Sequence, residues 1–144
     1  MNPLITLRVP ATSANLGSGF DTIGMAVSLY NIFKVMELLP EKQYSIEAHG
    51  EGAKELSEPA ANLVVKAYEV ACERWGVKGP GFSLWCHNII PLCRGLGSSA
   101  GAVVAGVLIA KYLTGHEAGE ADLLQLMTQI EGHPDNVAPC FLGA

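Results

Sequence analysis

The stretch PLCRGLGSSAG, Pro91 to Gly101, decides the fold: it is a glycine- and serine-rich loop running into an apolar helix that continues to Leu113. Gly95, Gly97 and Gly101 bracket Ser98 and Ser99 where the helix should begin, leaving backbone N–H groups unpaired and pointing forwards. Those donors and the positive end of the helix dipole form an anion cradle, and the missing Cβ atoms let a phosphate approach the backbone. The helix carries alanine, glycine or large apolar residues on every side, so it must be buried all round. Gly101 and Gly106 each cost about 1 kcal/mol against alanine there, which close packing would explain.

Other readings fit the same letters. Gly95, Gly97 and Ala100 match the dinucleotide fingerprint, but that turn follows its strand at once, and here Asn88 to Arg94 intervene. A Walker loop would end in Gly-Lys-Ser/Thr, which is absent. Gly97, Ser99 and Gly101 match the G-x-S-x-G elbow of serine hydrolases, with Asp122 and His133 following in a permissible order. A glycine-rich helix start that binds nothing also fits.

At 144 residues, 49% hydrophobic and 16% charged, the chain can bury a core as one domain, and disorder is excluded. A formal net charge of −5 argues against non-specific binding to nucleic acid or an anionic membrane, so a bound phosphate must be met by local dipoles and a metal. Cys72, Cys86, Cys93 and Cys140 lack metal-site spacing, and reduced, cytosolic thiols are expected. The start, MNPLITLRV, is not a signal peptide, and the apolar run Ala100 to Ala110 is too short to span a bilayer, so a soluble protein is expected.

Leu4 to Val9 reads as a strand ended by Pro10, followed by the polar loop ATSANLGSGFD. Gly17 and Gly19 let Ser13, Asn15 and Asp21 turn towards one point, although Asx turns alone would explain Asn15 and Asp21. Met25 to Leu38 predicts a long strand or two, paired with Tyr44 to His49 through a turn at Pro40 to Gln43. Leu63 to Trp75 predicts an amphipathic helix, with Asn62 as N-cap and Gly76 past its end, which explains both residues without a function. Gly81 to Asn88 reads as a strand.

A second helix spans about Ala121 to Glu131. Glu131 projects from its apolar face near the C-terminus, where the dipole disfavours an anion, so it needs a basic side chain or a metal unless partly exposed. The turn Gly132 to Asn136 precedes a last helix through Leu142. A phosphate cradle, a hydroxyl at its mouth, a carboxylate needing a cation and two polar loops are together the parts of a magnesium-dependent phosphoryl transferase.

The segments VPATSANLGSGFDTIG, PLCRGLGSSAG and EGHPDNVAPCFLGA resemble successive motifs of the homoserine kinase family, within the superfamily that holds galactokinase, mevalonate kinase and phosphomevalonate kinase. The resemblance runs from Arg8 to the last residue. It implies an α+β fold, a mixed or antiparallel sheet packed on helices, with the phosphate loop and its helix forming a left-handed βαβ crossover. It implies transfer of the ATP γ-phosphate to the hydroxyl of L-homoserine, in the cytoplasm, on the route to threonine.

By the same resemblance Gly95 to Ser99 hold the nucleotide phosphates, with Pro91, Arg94, Leu96, Ala100 and Gly101 completing the ATP site and Asn62 touching the adenine. Ser99 and Glu131 would ligate Mg2+. Asn15, Asp21, His133 and Asp135 would surround homoserine, with Asp21 on its ammonium group. Where relatives acting on mevalonate and galactose have an aspartate base, this chain has Asn136, which implies direct attack by the substrate hydroxyl. Homoserine kinases continue past FLGA with a second domain, so residues 1–144 are expected to be a truncated N-terminal domain with an exposed apolar face. A complementing C-terminal half, or a homodimer, is the expected partner; a non-catalytic nucleotide-binding or assembly fragment is the alternative.

Overall fold

The computed structural model describes residues 2–10, 30–50, 53, 57–59, 62–88, 98–132 and 137–143. In chain order these form β1 (Ile5–Pro10), β2 (Tyr30–Leu39), β3 (Tyr44–Gly50), α1 (Leu63–Trp75), β4 (Gly81–Asn88), α2 (Ser98–Thr114), α3 (Glu120–Glu131) and α4 (Val137–Gly143). Strands and helices therefore lie where residue patterning places them, in a mixed α+β arrangement. Pro10 closes β1 from inside the strand, opposite Tyr30; among the described residues β1 is an edge strand, where proline is tolerated.

The strand order is β1-β2-β4-β3, with β1/β2 and β2/β4 antiparallel and β3/β4 parallel. This corrects two expectations. First, β2 and β3 do not pair as a hairpin, because β4 inserts between them. The short connection between them instead folds over the first residues of β4: the Gly81 N–H donates to Pro40 O at 3.2 Å and the Phe82 N–H to Gln43 O at 3.0 Å. A Cβ on Gly81 would stand 1.9 Å from Gln43 O and 2.4 Å from Pro40 O, so only glycine can begin this strand. Second, the parallel crossover from β3 to β4 runs through α1, whereas α2, the helix expected to follow a phosphate loop, leads to no further strand among the described residues.

Alternation along the strands sends Val9, Phe33, Val35, Phe82, Leu84 and Cys86 into the core beneath the helices. The opposite face is solvated, with the Lys34 ammonium 4.8 Å from the Trp85 ring centre and the Arg8 guanidinium 4.4 Å from that of Tyr30. Helix α1 is amphipathic as expected. The Asn62 side-chain oxygen caps it, accepting from the N–H groups of Val64 (2.8 Å) and Val65 (3.3 Å), and Gly76 ends it in the left-handed conformation.

Helix α2 is the centre of the core. Ala100, Val103, Val104, Ala105, Val107, Ile109 and Ala110 are all fully buried, so the helix is enclosed on every side from Ala100 to Ala110, while its last turn opens at Tyr112. Of its two glycines only Gly106 is sterically required: a Cβ there would stand 2.4 Å from Val64 O and 2.7 Å from the Ala67 Cβ, so α1 crosses α2 with backbone nearly touching backbone. A Cβ on Gly101 would meet nothing nearer than Val9 Cγ1 at 3.5 Å, an ordinary contact. None of the helices among the described residues is long and apolar enough to cross a membrane.

The thiols of Cys72, Cys86 and Cys140 are free and buried. Burial pushes Cys86 up to about 11; burial first, and the Glu131 carboxylate second, push Cys140 up to about 12.

Two outcomes are expected. Alanine at position 106 gains about 1 kcal/mol of helix propensity, but the clash with α1 outweighs it, so Gly106→Ala lowers stability by roughly 2 kcal/mol, within the usual cost of overpacking. Gly101→Ala leaves stability unchanged or raises it. Denaturant midpoints at constant slope measure both. For the thiols, both folded pKa values lie above the ordinary unfolded value, so their contribution to stability is complete below about pH 8.5 and declines as pH rises towards the folded values. Accordingly, Cys86 and Cys140 should resist an aromatic disulfide reagent at pH 8 in the folded protein and react at once in denaturant; fast labelling of the native protein would contradict their placement.

Candidate active site

Of the three sequence segments singled out above, two lie largely outside the described residues and the third does so at 133–136, yet the elements that carry them are fixed. Strand β1 leads into segment 11–29 at Pro10, and β2 takes the chain up again at Tyr30. Because Pro10 pairs with Tyr30 and Val9 with Asn31, both ends of that segment stand side by side. The pairing of Ile32 with His87 brings the end of β4, which leads into 89–97, to the same end of the sheet. Segment 89–97 delivers the chain to α2, whose first turn packs there too: the position of a Gly101 Cβ is 3.5 Å from Val9 Cγ1 and 4.0 Å from Asn31 Nδ2.

The third stretch, 133–136, lies between α3 and α4 in the chain. Gly132 ends α3 with φ 101° and its N–H on Thr128 O at 2.8 Å, turning the chain sharply after Glu131. On the far side Cys140 of α4, fully buried, donates its thiol to Pro10 O at 3.4 Å. The supports of all three motif segments thus meet around Pro10, Asn31, Gly101 and Cys140. Glu131 is half-buried at the C-terminal end of α3 and close enough to Cys140 for its charge to act on that thiol.

Of the expected site residues, Asn62, Ala100, Gly101 and Glu131 are described in full. Asn62 is a buried helix cap, the structural role read from its spacing. Ala100 and Gly101 are buried in the first turn of α2. Ser98 and Ser99 open that helix, and their side chains lie outside the described part. Asn15, Asp21, Pro91, Arg94, Gly95, Leu96, Gly97, His133, Asp135 and Asn136 lie outside the described residues.

Asn31 was not singled out by sequence, although an asparagine among aromatic and β-branched residues of a strand is a visible anomaly; it is one of two buried polar residues described, with Asn62. Neither is without a partner.

The hydrolase alternative needs Ser99, Asp122 and His133 together; Asp122 is exposed in the first turn of α3, while His133 and the Ser99 side chain lie outside the described part. As to metals, no group of three or more His, Cys, Asp or Glu stands ready among the described residues.

Comparison with known proteins agrees with this architecture. Residues 62–144 match the family model described as the GHMP kinases N terminal domain. A curated homoserine kinase of Corynebacterium diphtheriae is 47% identical over 96% of this chain and 44% of its own length. The crystal structure of homoserine kinase from Cytophaga hutchinsonii superposes with a TM-score of 0.71 at 26% identity, covering 98% of this chain and 47% of that one. The structure of a putative homoserine kinase from Listeria monocytogenes gives 0.69 at 32% identity, over 93% of this chain and 45% of that one. The chain spans less than half the length of these relatives. With the family model covering more than half of its residues and the same fold in these neighbours, the chain belongs to the GHMP kinases, as their N-terminal domain.

Proposed function

We propose that this chain is the nucleotide-binding part of a homoserine kinase, which transfers the γ-phosphate of ATP to the side-chain hydroxyl of L-homoserine and yields O-phospho-L-homoserine. The observation that carries this is the 47% identity to a curated homoserine kinase across almost the whole chain. The convergence of the motif-bearing elements at one end of the fold supports it: segments far apart in sequence have their supports within one neighbourhood, as a site holding two substrates requires. Residues 1–144 form the N-terminal domain. Reduced, buried thiols suit the cytoplasm.

In this proposal the loop Gly95 to Ser99 grips the ATP phosphates by backbone N–H groups at the start of α2, flanked by Pro91, Arg94, Leu96, Ala100 and Gly101, with Asn62 beside the adenine. Asn15, Asp21, His133 and Asp135 orient homoserine. The Ser99 hydroxyl and the Glu131 carboxylate are hard oxygen donors, the kind Mg2+ takes alongside water and phosphate oxygens, and a half-buried carboxylate at the negative end of a helix dipole is stabilised by a cation. The metal supplies neutralisation of the phosphate charge when bound. Asn136 holds the substrate hydroxyl in line rather than deprotonating it; phosphoryl transfer with a loose transition state depends on positioning more than on a strong base.

The remainder of such an enzyme needs a surface to pack on. An open groove of about 550 Å³ between β1 and the end of α2 is lined by Leu4, Ile5, Thr6, Leu7, Tyr112 and Leu113, and Leu4 and Tyr112 are each 56% exposed. We assign that groove to the rest of the protein.

Assay of the complete natural polypeptide with ATP, Mg2+ and L-homoserine should give O-phosphohomoserine, and Glu131→Gln should lower kcat on the order of a hundredfold or more, as for loss of one preorganised charge-stabilising group. ATP binding without phosphotransfer to homoserine would point instead to a non-catalytic nucleotide-binding role. Asn136→Asp should leave kcat within about tenfold of the natural enzyme or lower it; a rise well beyond that would show that a general base, typically worth a hundredfold or more, had been missing.

A further inference from the structure

Segment 11–29 leaves the sheet at Pro10 and returns at Tyr30, which pair across β1 and β2. Segment 133–136 follows Gly132, which ends α3 in the left-handed conformation, and leads into α4. A hydrogen bond joins the supports of the two segments: the Cys140 thiol donates to Pro10 O at 3.4 Å, and both residues are buried. A carbonyl oxygen only accepts, so the thiol is the donor.

Helix α4 has seven residues, too few to be stable alone, so its place depends on what it touches. It packs on α2, α3 and β1, with Val137 and Cys140 fully buried. Apolar burial is non-directional and would let so short a helix slide or turn against its neighbours. The bond to Pro10 O is directional and sets the register of α4 on the end of β1. Cys140 stands about one helical turn after Asn136, so that register is handed on to 133–136.

A buried cysteine is commonly no more than a small apolar residue. Cys72 provides the comparison: it too is buried, but it lies in the last turn of α1, which leads to the start of β4, the opposite end of the sheet from Asn88. Cys140 differs in being bonded to the residue from which segment 11–29 departs.

We infer that Cys140 is a positioning residue for the acceptor substrate: its thiol sets α4 against the end of β1 and so fixes the spacing between 11–29 and 133–136, the two segments assigned to homoserine. This rests on the kinase function proposed above. Cys140 acts through the backbone of Pro10 and α4. The loop assigned to the nucleotide departs from other supports, β4 and α2, so the effect is selective for homoserine.

The test is steady-state kinetics on the complete natural polypeptide and three variants. Cys140→Ala removes the donor and should lower kcat/KM for homoserine about fivefold, the scale of one hydrogen bond, with KM for ATP changed less than about twofold. Cys140→Ser keeps a donor in nearly the same place and should stay within about twofold of the natural enzyme for both substrates. Cys72→Ala, which also removes a buried sulfur, should leave both values within about twofold. Should alanine at 140 leave the protein unfolded, Cys140→Val, which fills the space without a donor, takes its place. Unchanged use of homoserine without the donor, an equal loss in Cys140→Ser, or an equal effect on ATP overturns the inference while leaving the kinase proposal intact. A natural protein that transfers no phosphate to homoserine overturns the kinase proposal and this inference together.

Discussion

The structure depends on one packing constraint: α2 is apolar on every side, and everything else is arranged to enclose it. A helix of this kind has no solvent face to offer, so its burial requires the sheet beneath, α1 across it and α3 and α4 alongside. Contact with α1 is the tightest, because the backbone carbonyl of Val64 reaches the space that a side chain at 106 would fill. Dispersion and area burial both grow as the helices close, and glycine makes that distance available despite its poor helix propensity.

Enclosure has a chemical consequence at the helix start. A helix buried from Ala100 to Ala110 cannot drift, so its first turn is held in place relative to β1, β2 and α4. Phosphoryl transfer gains most of its rate from placing groups and neutralising charge. In the proposed kinase, a phosphate loop leading into a centrally packed helix would suit that demand better than one on a surface helix. Cys140 makes the same point on a smaller scale. A thiol kept protonated by burial and by the neighbouring Glu131 serves as a hydrogen-bond donor to Pro10 O, tying the helix after 133–136 to the end of β1.

The sheet shows where local patterning stops being informative. Two β-rich stretches joined by a short turn are read as a hairpin, yet β4 separates them. Nothing in β2 or β3 signals this, since each strand presents the same alternating face whichever neighbour it has. The clue lay at Gly81, whose role depends on the Pro40 and Gln43 carbonyls folding over it, and that contact exists only once β4 is in place. The crossover helix was displaced in the same way, from α2 to α1, because strand order and not periodicity determines which helix bridges parallel neighbours.

By itself the sequence determined the elements of local origin: the caps Asn62 and Gly76, the amphipathic face of α1, the all-round burial of α2 and the family motifs. These are properties of residues a few positions apart, where helix geometry and hydrogen-bonding preferences act directly. Tertiary structure alone decided the strand order, the steric need for glycine at 81 and 106 but not at 101, and the place of Asn31 beside the first turn of α2. Each of these is a distance between residues remote in the chain. Such distances are fixed when the core closes around α2, and no window of sequence contains them.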